Sequence, residues 1–214
     1  MKRVLIVDDH PLVRSGFAQL ISDEDDLAVC GETDNEAEAI QLVASMAPDL
    51  VIIDLSLSAG SGMTLIERIR SHHGDIPMLV VSMHDESLYA ERVLSAGALG
   101  YLNKQAAAGN IIRAIRRVLD GKVYLSEELT GRMLDGLAGV SHAAGQSPLQ
   151  RLSNRELEVF ELIGGGMTTG KIADHLKLST KTIETHRENI KKKLALESGQ
   201  ELTRRAMHWL MDKG

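Results

Sequence analysis

Five short apolar runs, rich in β-branched residues, recur through the first 120 residues: Arg3–Val7, Leu27–Gly31, Leu50–Ile53, Met78–Val81 and Gly100–Leu102. Between and after them lie stretches whose apolar residues repeat at helical spacing: Leu12–Ile21, Glu36–Met46, Met63–Ser71, Ser87–Ala96 and Ala107–Leu119. Strands this continuously hydrophobic are buried on both faces, and the alternation with helices dictates a parallel sheet covered on each side. The expectation is an α/β doubly wound five-stranded parallel sheet, with functional groups collected at the C-terminal strand ends. Thr33-x-x-Glu36 reads as a capping box at the start of the second helix.

Past residue 120 the strand signals stop. Residues 121–150 read as a linker, partly helical over Leu129–Leu137. Its last part, GLAGVSHAAGQSPLQ at 136–150, has three glycines, Pro148 and no charged group. Residues 151–214 carry four helical patterns, Asn154–Ile163, Gly170–Leu176, Thr180–Leu194 and Gly199–Met211, two of them opened by Ser153-x-x-Glu156 and Ser198-x-x-Glu201. Two domains, 1–120 and 151–214, are therefore expected.

Charge follows the same division. The chain carries a net charge of −6, but residues 1–150 hold 12 basic against 21 acidic side chains, whereas residues 151–214 hold 12 against 9. A total that argues against a polyanionic partner thus hides a basic module. Aromatic residues make up 3% of the chain, too few for a stacking platform on single strands. The lone Cys30 excludes an internal disulfide and a zinc ribbon. The run Val4–Val7 is too short for a signal peptide and no apolar stretch reaches membrane-spanning length, so a cytoplasmic location is expected.

At the predicted strand ends stand Asp8 and Asp9, then Asp54, Ser82 and Lys104. Right-handed crossovers bring these ends to one crevice. Three clustered carboxylates repel one another unless a cation neutralises them, and hard oxygen donors with no His or Cys among them favour Mg²⁺. A lysine and a hydroxyl facing the same ion complete the parts for phosphoryl transfer, with Asp54 on the central strand as acceptor. Each acid taken singly is more readily a cap, but the set of five residues at the ends of four strands is not. His84 is read as a loop histidine, with influence on water access to a phosphoryl group as the sharper alternative. His72-His73 is read as a helix end.

The third of the four C-terminal helical patterns, Thr180–Leu194, gathers Ile183, Ile190 and Leu194 on one face. The other face carries Lys181, Thr185, Glu188 and Lys192, flanked by Thr182, Glu184, His186, Arg187, Asn189, Lys191 and Lys193. With Gly170–Leu176 and a short turn before it, this is a helix-turn-helix arrangement. Gly165-x-x-x-x-Gly170-Lys171 imitates a phosphate-binding loop, but Ile172 replaces the hydroxyl residue and a helix, not a strand, precedes it. In the last helical pattern Leu202, Ala206, Trp209 and Leu210 form an apolar stripe, read as core, with an exposed part able to pair with a second copy.

These residues carry a resemblance. Val7-Asp8-Asp9-His10, Ile53-Asp54-Leu55, Ser82 and Lys104 look like the receiver domain of two-component response regulators, a flavodoxin-like fold. The stretch from Leu152-Ser153 through Thr182-Ile183-x-x-His186-x-x-Asn189-Ile190 to Lys193-Leu194 resembles the LuxR-type DNA-binding domain. The whole chain is similar to response regulators of the NarL/FixJ family. The resemblance implies phosphorylation of Asp54 by a sensor histidine kinase, with Mg²⁺ held by Asp8, Asp9, Asp54 and the backbone carbonyl of Ser56. It implies switching through Ser82, Tyr101 and Lys104, and no enzymatic turnover beyond Mg-dependent self-phosphorylation of Asp54 and slow autodephosphorylation. Double-stranded DNA would be met by Thr180, Lys181, Thr182, Glu184, Thr185, His186, Glu188, Asn189, Lys192 and Lys193. A homodimer, formed on phosphorylation or on DNA, would use Leu202, Ala206 and Trp209. Three departures stand out: Gln105 stands where receivers often have a cis proline, Thr169-Gly170-Lys171 replaces the usual Asn-Lys-Glu, and Glu184 stands where a lysine is frequent. Glu184 either accepts from a cytosine amino group or pairs with Arg187 or a neighbouring lysine. Two rivals remain at this point: an aspartyl-phosphate phosphatase, and a regulator whose receiver only docks proteins.

Overall fold

The computed structural model describes residues 1–137 and 147–211. The chain divides into two compact units, one within residues 1–142 and the other within residues 143–214. The central part of the expected linker, residues 138–146, lies outside the described residues.

The first unit is built on β1 (Lys2–Val7), β2 (Leu27–Thr33), β3 (Leu50–Ile53), β4 (Met78–Ser82) and β5 (Gly100–Asn103). All five pair in parallel, in the order β2-β1-β3-β4-β5. The order reverses between β1 and β3, which opens a crevice at their C-terminal ends. As the unbroken hydrophobicity demands, β3 is buried throughout and so are Val4–Val7 and Met78–Val81. Edge strand β2 is half-buried and bulges: Val4 faces Val29 but Leu5 faces Gly31, leaving Cys30 as the extra residue.

Helices α1 (Pro11–Ser22), α2 (Glu36–Met46), α3 (Gly62–His73), α4 (Glu86–Ala96) and α5 (Lys104–Leu119) cover the sheet. In α5 the buried residues Ala107, Ile111, Ala114, Ile115 and Val118 recur at helical spacing and face the sheet. Each large aliphatic side chain removed from water there contributes about 1.5–3 kcal/mol. The helix begins three residues earlier than its apolar pattern, because Asn103 caps it by accepting from the Gln105 N–H at 2.9 Å. Every described peptide bond is trans, that before Gln105 included.

The Thr33 capping box is corrected by the structure. Thr33 is still in β2, paired with Val7, and the cap of α2 is Asn35, whose side chain accepts from the Glu38 N–H at 2.9 Å. The chain is extended at Thr33 because the ladder holds it, so its hydroxyl instead donates to the Glu38 carboxylate.

Packing on the sheet continues beyond residue 120. The Tyr101 N–H donates to the Tyr124 carbonyl at 2.9 Å and the Tyr124 N–H to the Leu99 carbonyl at 3.0 Å, so Tyr124 extends the sheet beside β5. The Glu86 carboxylate then accepts from the Ser126 N–H at 2.8 Å, at the start of α6 (Glu127–Leu137), where Leu129 is buried.

The second unit opens with a 3₁₀ turn (Pro148–Arg151) that buries Leu149, so the end of the expected linker is ordered. It continues with α7 (Asn154–Gly164), α8 (Thr169–Leu176), α9 (Thr180–Leu194) and α10 (Gly199–Met211). Its core joins Leu157, Phe160, Ile163, Ile172, Ile183, Ile190, Leu202 and Ala206. Ser153 and Glu156 form the full reciprocal box, whereas at α10 only Ser198 caps Glu201, whose carboxylate reaches the Glu197 N–H instead. Gly164 ends α7 against α10; a Cβ there would stand 2.7 Å from the Ala206 carbonyl oxygen. The glycines at 164–166 therefore end a helix and turn the chain, as expected, and Thr168 caps α8 beyond them.

Candidate functional site

Asp8 follows β1, Asp54 follows β3, Ser82 ends β4 and Lys104 follows β5, and the sheet order brings all four to the crevice. Asp8, Asp54 and Ser82 are at most 2% exposed. Asp54 is held at both oxygens: Ser82 Oγ donates to Oδ1 at 2.7 Å and Lys104 Nζ donates to Oδ2 at 2.7 Å. Lys104 also reaches Asp8 Oδ2 at 2.7 Å. Gly62 seats this loop, since a Cβ there would fall 2.1 Å from the Asp54 carbonyl oxygen.

Burial pushes the Asp8 carboxyl above its ordinary value, against the opposing pull of the Lys104 ammonium and the His10 N–H. Burial likewise disfavours the Lys104 ammonium, but the charges of Asp54 and Asp8 outweigh it and its pKa is raised. The ammonium is thus charged at neutral pH and bridges two carboxylates that would otherwise repel.

Asp9 is half-buried, and its Oδ1 is a buried oxygen that accepts no hydrogen bond. An unsatisfied carboxylate oxygen beside two further carboxylates is a donor set that fits a hard divalent cation. The expectation of an all-oxygen pocket is corrected: His10 Nδ1 lies 2.6 Å from Asp9 Oδ1, out of hydrogen-bond alignment, and 3.4 Å from Asp8 Oδ1. Asp8, Asp9, His10 and Asp54 each offer one ligand atom within 4.8 Å of the others. Sequence reasoning quoted His10 beside the acids but gave it no place in the site. The signal was Pro11, which confines His10 to an extended backbone and turns its ring over the pocket.

Ser56 lies in the loop after Asp54, and its Oγ is 3.0 Å from His84 Nε2, so the two span the pocket mouth. The His84 ring sits 4.7 Å from that of Tyr89. The fully buried Tyr101 donates its hydroxyl to the His84 carbonyl at 2.7 Å. His72 and His73 close α3, as expected of a helix end.

In the second unit, α8 ends at Lys177, a left-handed residue with φ of 53°, and Ser179 caps α9 by accepting from the Thr182 N–H at 3.1 Å. This tight turn completes the helix-turn-helix. Ile183 and Ile190 are buried; Thr180, Lys181, Glu184, Thr185, Glu188, Lys192 and Lys193 are exposed, and Thr182, His186 and Asn189 are half-buried. Burial also lowers the His186 pKa, which favours the neutral imidazole. Glu184 accepts from Thr169 Oγ1 at 2.9 Å and lies 3.8 Å from Arg187 Nε, so the helix before it already engages its carboxylate.

Lys193 differs from Lys192. Its Nζ donates to Glu156 Oε2 at 2.6 Å, across the unit to α7. Glu156 is 4% exposed; burial raises its pKa, but Lys193 and Ser153 outweigh that and hold it below the ordinary 4.5. The capping box revealed Glu156, but nothing in the sequence reveals a partner 37 residues away. Since the folded-state pKa is depressed, the pair stabilises the unit above pH 4.5, and this contribution disappears as the pH falls through the lowered value. Trp209, the one tryptophan, packs edge-on against Phe160 and reports on this unit. Lys193→Ala strands a buried carboxylate at a cost of about 1–3 kcal/mol. Urea denaturation followed by Trp209 fluorescence is expected to show that loss at pH 7 and a loss that shrinks as the pH falls below 4.5 and through the lowered pKa; a loss that does not change with pH would refute the pairing.

The stripe on α10 is core, as its spacing reads, and only the dimer contact that the resemblance implies for its buried members is corrected. Leu202 and Ala206 are fully buried within their own unit and Trp209 is half-buried against Phe160, because these positions face α7. The opposite face, with Thr203, Met207 and Met211, lines a groove of about 840 Å³ together with Arg187 and Arg204.

Joined in one chain, an acid-and-lysine crevice on a 2-1-3-4-5 sheet and a separate helix-turn-helix define a class: two-domain signalling regulators that bind DNA. Comparison with known proteins agrees. Residues 4–116 match the family described as response regulator receiver domain, and residues 150–206 match bacterial regulatory proteins of the luxR family. The chain is 34% identical to the response regulator GacA of Pseudomonas viridiflava over 213 residues, 99% of each chain. It is also 34% identical to the oxygen regulatory protein NreC of Staphylococcus carnosus over 209 residues, 96% of each. Among solved structures, RcsB of Salmonella typhimurium superimposes with a TM-score of 0.74 at 26% identity, covering 97% of each chain. RcsB bound to a promoter in the presence of the phosphomimetic BeF₃⁻ gives a TM-score of 0.70 at 26% identity, covering 96% of this chain and 98% of that one. The chain belongs to the two-component response regulators that join a receiver domain to a LuxR-type DNA-binding domain.

Proposed function

We propose that Asp54 is the phosphoacceptor, that a sensor histidine kinase supplies the phosphoryl group, and that phosphorylation controls DNA binding through α9. The observation that carries this reading is the double hold on Asp54 by Ser82 and Lys104 in a crevice lined by further acids. In the transfer, an Asp54 carboxylate oxygen forms a bond to phosphorus as the bond from phosphorus to the histidine nitrogen breaks. Lys104 is placed to take part of the charge on the phosphoryl oxygens, and Ser82 to donate to one of them once released from Oδ1. Asp8, Asp9, Asp54 and the Ser56 carbonyl would hold Mg²⁺, which supplies charge neutralisation for both the acids and the phosphoryl group.

Tyr101, tied to the loop over the pocket, is the residue placed to register a change at Ser82. The exposed side chains of α9 meet DNA, and the outward face of α10 pairs two copies, as RcsB is described in dimers on DNA. No helix among the described residues is long and apolar enough to cross a membrane, and a cytoplasmic setting suits a protein that meets both kinase and DNA.

Binding to genomic fragments with and without acetyl phosphate tests the reading as a whole. Tighter binding with the phosphodonor is expected; an affinity blind to it would leave the receiver as a docking module. Lys192→Ala is expected to weaken binding to all sequences and to flatten the salt slope by about one unit. An unchanged slope would remove Lys192 from the interface.

A further inference from the structure

We propose that His10 is a fourth ligand in the acidic pocket, giving it an imidazole nitrogen beside its carboxylates and a preference for borderline transition ions such as Ni²⁺ and Co²⁺ over Mg²⁺. The inference rests on the pocket being the cation site, as proposed above. An ion bound to two donors at about 2.1 Å each holds them about 3 Å apart when adjacent and about 4.2 Å apart when opposite. His10 Nδ1 stands 2.6, 3.4 and 4.0 Å from oxygens of Asp9, Asp8 and Asp54. Rotation of two partly exposed side chains, His10 at 60% and Asp9 at 25%, brings the shortest of these to ligand spacing.

The backbone that carries the imidazole is held from two sides, while the ring itself is free to turn toward the acids. The His10 backbone N–H donates to Asp8 Oδ1 at 2.8 Å, and Pro11 at the first turn of α1 fixes the extended backbone before it. The oxygen it faces, Asp9 Oδ1, is the one buried side-chain polar atom among the described residues that has no hydrogen bond. Nitrogen donors add little to Mg²⁺ binding, whereas imidazole suits Ni²⁺, Co²⁺ and Zn²⁺, and affinity for such a set rises along the first-row series. An ion held this way occupies the same acids that Mg²⁺ would use, so the two compete.

The test is isothermal titration calorimetry on the full chain with MgCl₂ and with NiCl₂, together with the visible absorption of bound Co²⁺. In His10→Asn, Ni²⁺ affinity at the pocket is expected to fall tenfold or more, while Mg²⁺ affinity stays within about twofold. The Co²⁺ band is expected to lose its nitrogen-ligand shift. In Asp9→Asn both ions are expected to weaken, which separates this pocket from surface histidines. Ni²⁺ and Mg²⁺ affinities that are both unchanged in His10→Asn, or that both fall in proportion, would overturn the proposal and leave His10 as a partner of the Asp9 charge. Mg²⁺ binding untouched by Asp9→Asn would instead overturn the assignment of the cation site.

Discussion

Asp54→Asn is expected to abolish phosphoryl incorporation from acetyl phosphate, read as loss of the added mass in intact-protein mass spectrometry. The side chain keeps its size, but its single oxygen can accept from only one of Ser82 and Lys104, which grip Oδ1 and Oδ2 of the native residue at 2.7 Å each. What disappears is the second anionic oxygen able to attack phosphorus, and no other described carboxylate in the pocket has both a hydroxyl and an ammonium on it. DNA affinity of the variant is expected to ignore the phosphodonor. Retained labelling would move the acceptor elsewhere, and the pocket reading would fall with it.

Lys104→Ala is expected to have the largest effect on stability. Lys104 is 6% exposed and lies between Asp8 and Asp54, each 2% exposed. Removing one side of such an arrangement leaves buried charge uncompensated, at a cost of about 3 kcal/mol. With a typical urea dependence the midpoint of the first unit falls by about 1.5 M. Amide hydrogen exchange of β1 and β3 peptides across urea follows that unit alone. Adding Asp8→Asn in the same chain is expected to recover most of the loss, because the repulsion it leaves behind is between Asp8 and Asp54. Midpoints that do not move would show that the lysine contributes nothing to the fold.

The sheet was legible because its strands are buried on both faces, and burial of that kind leaves an uninterrupted apolar signature at Val4–Val7, Leu50–Ile53 and Met78–Val81. The site was legible for a related reason: strand ends are where apolar runs stop, so Asp8, Asp54 and Ser82 stand out as the first polar residues beyond or at the ends of those runs, and Lys104 follows one residue after Asn103. What the sequence conceals are choices made by long-range contacts. Thr33 has the residues of a cap but belongs to a ladder with Val7, and Asn35 takes its role. Leu202 and Ala206 have the composition of an interface, yet α7 covers them, and Gly164 allows the close approach that does so. Lys193 looks like its neighbour Lys192 until Glu156 is found beneath it.

The two flanks of the sheet have a consequence for how copies of the protein meet. An unpaired outer strand invites another chain to add to it, backbone to backbone. On one flank the extra residue Cys30 breaks the regular spacing of β2. On the other, Tyr124 already fills the place beside Gly100 with two hydrogen bonds of its own. Neither side offers a long straight ribbon for strand exchange. Strand exchange between receivers is thereby blocked at both edges, which leaves helix surfaces as the place where a partner could add without unmaking the sheet that carries Asp54.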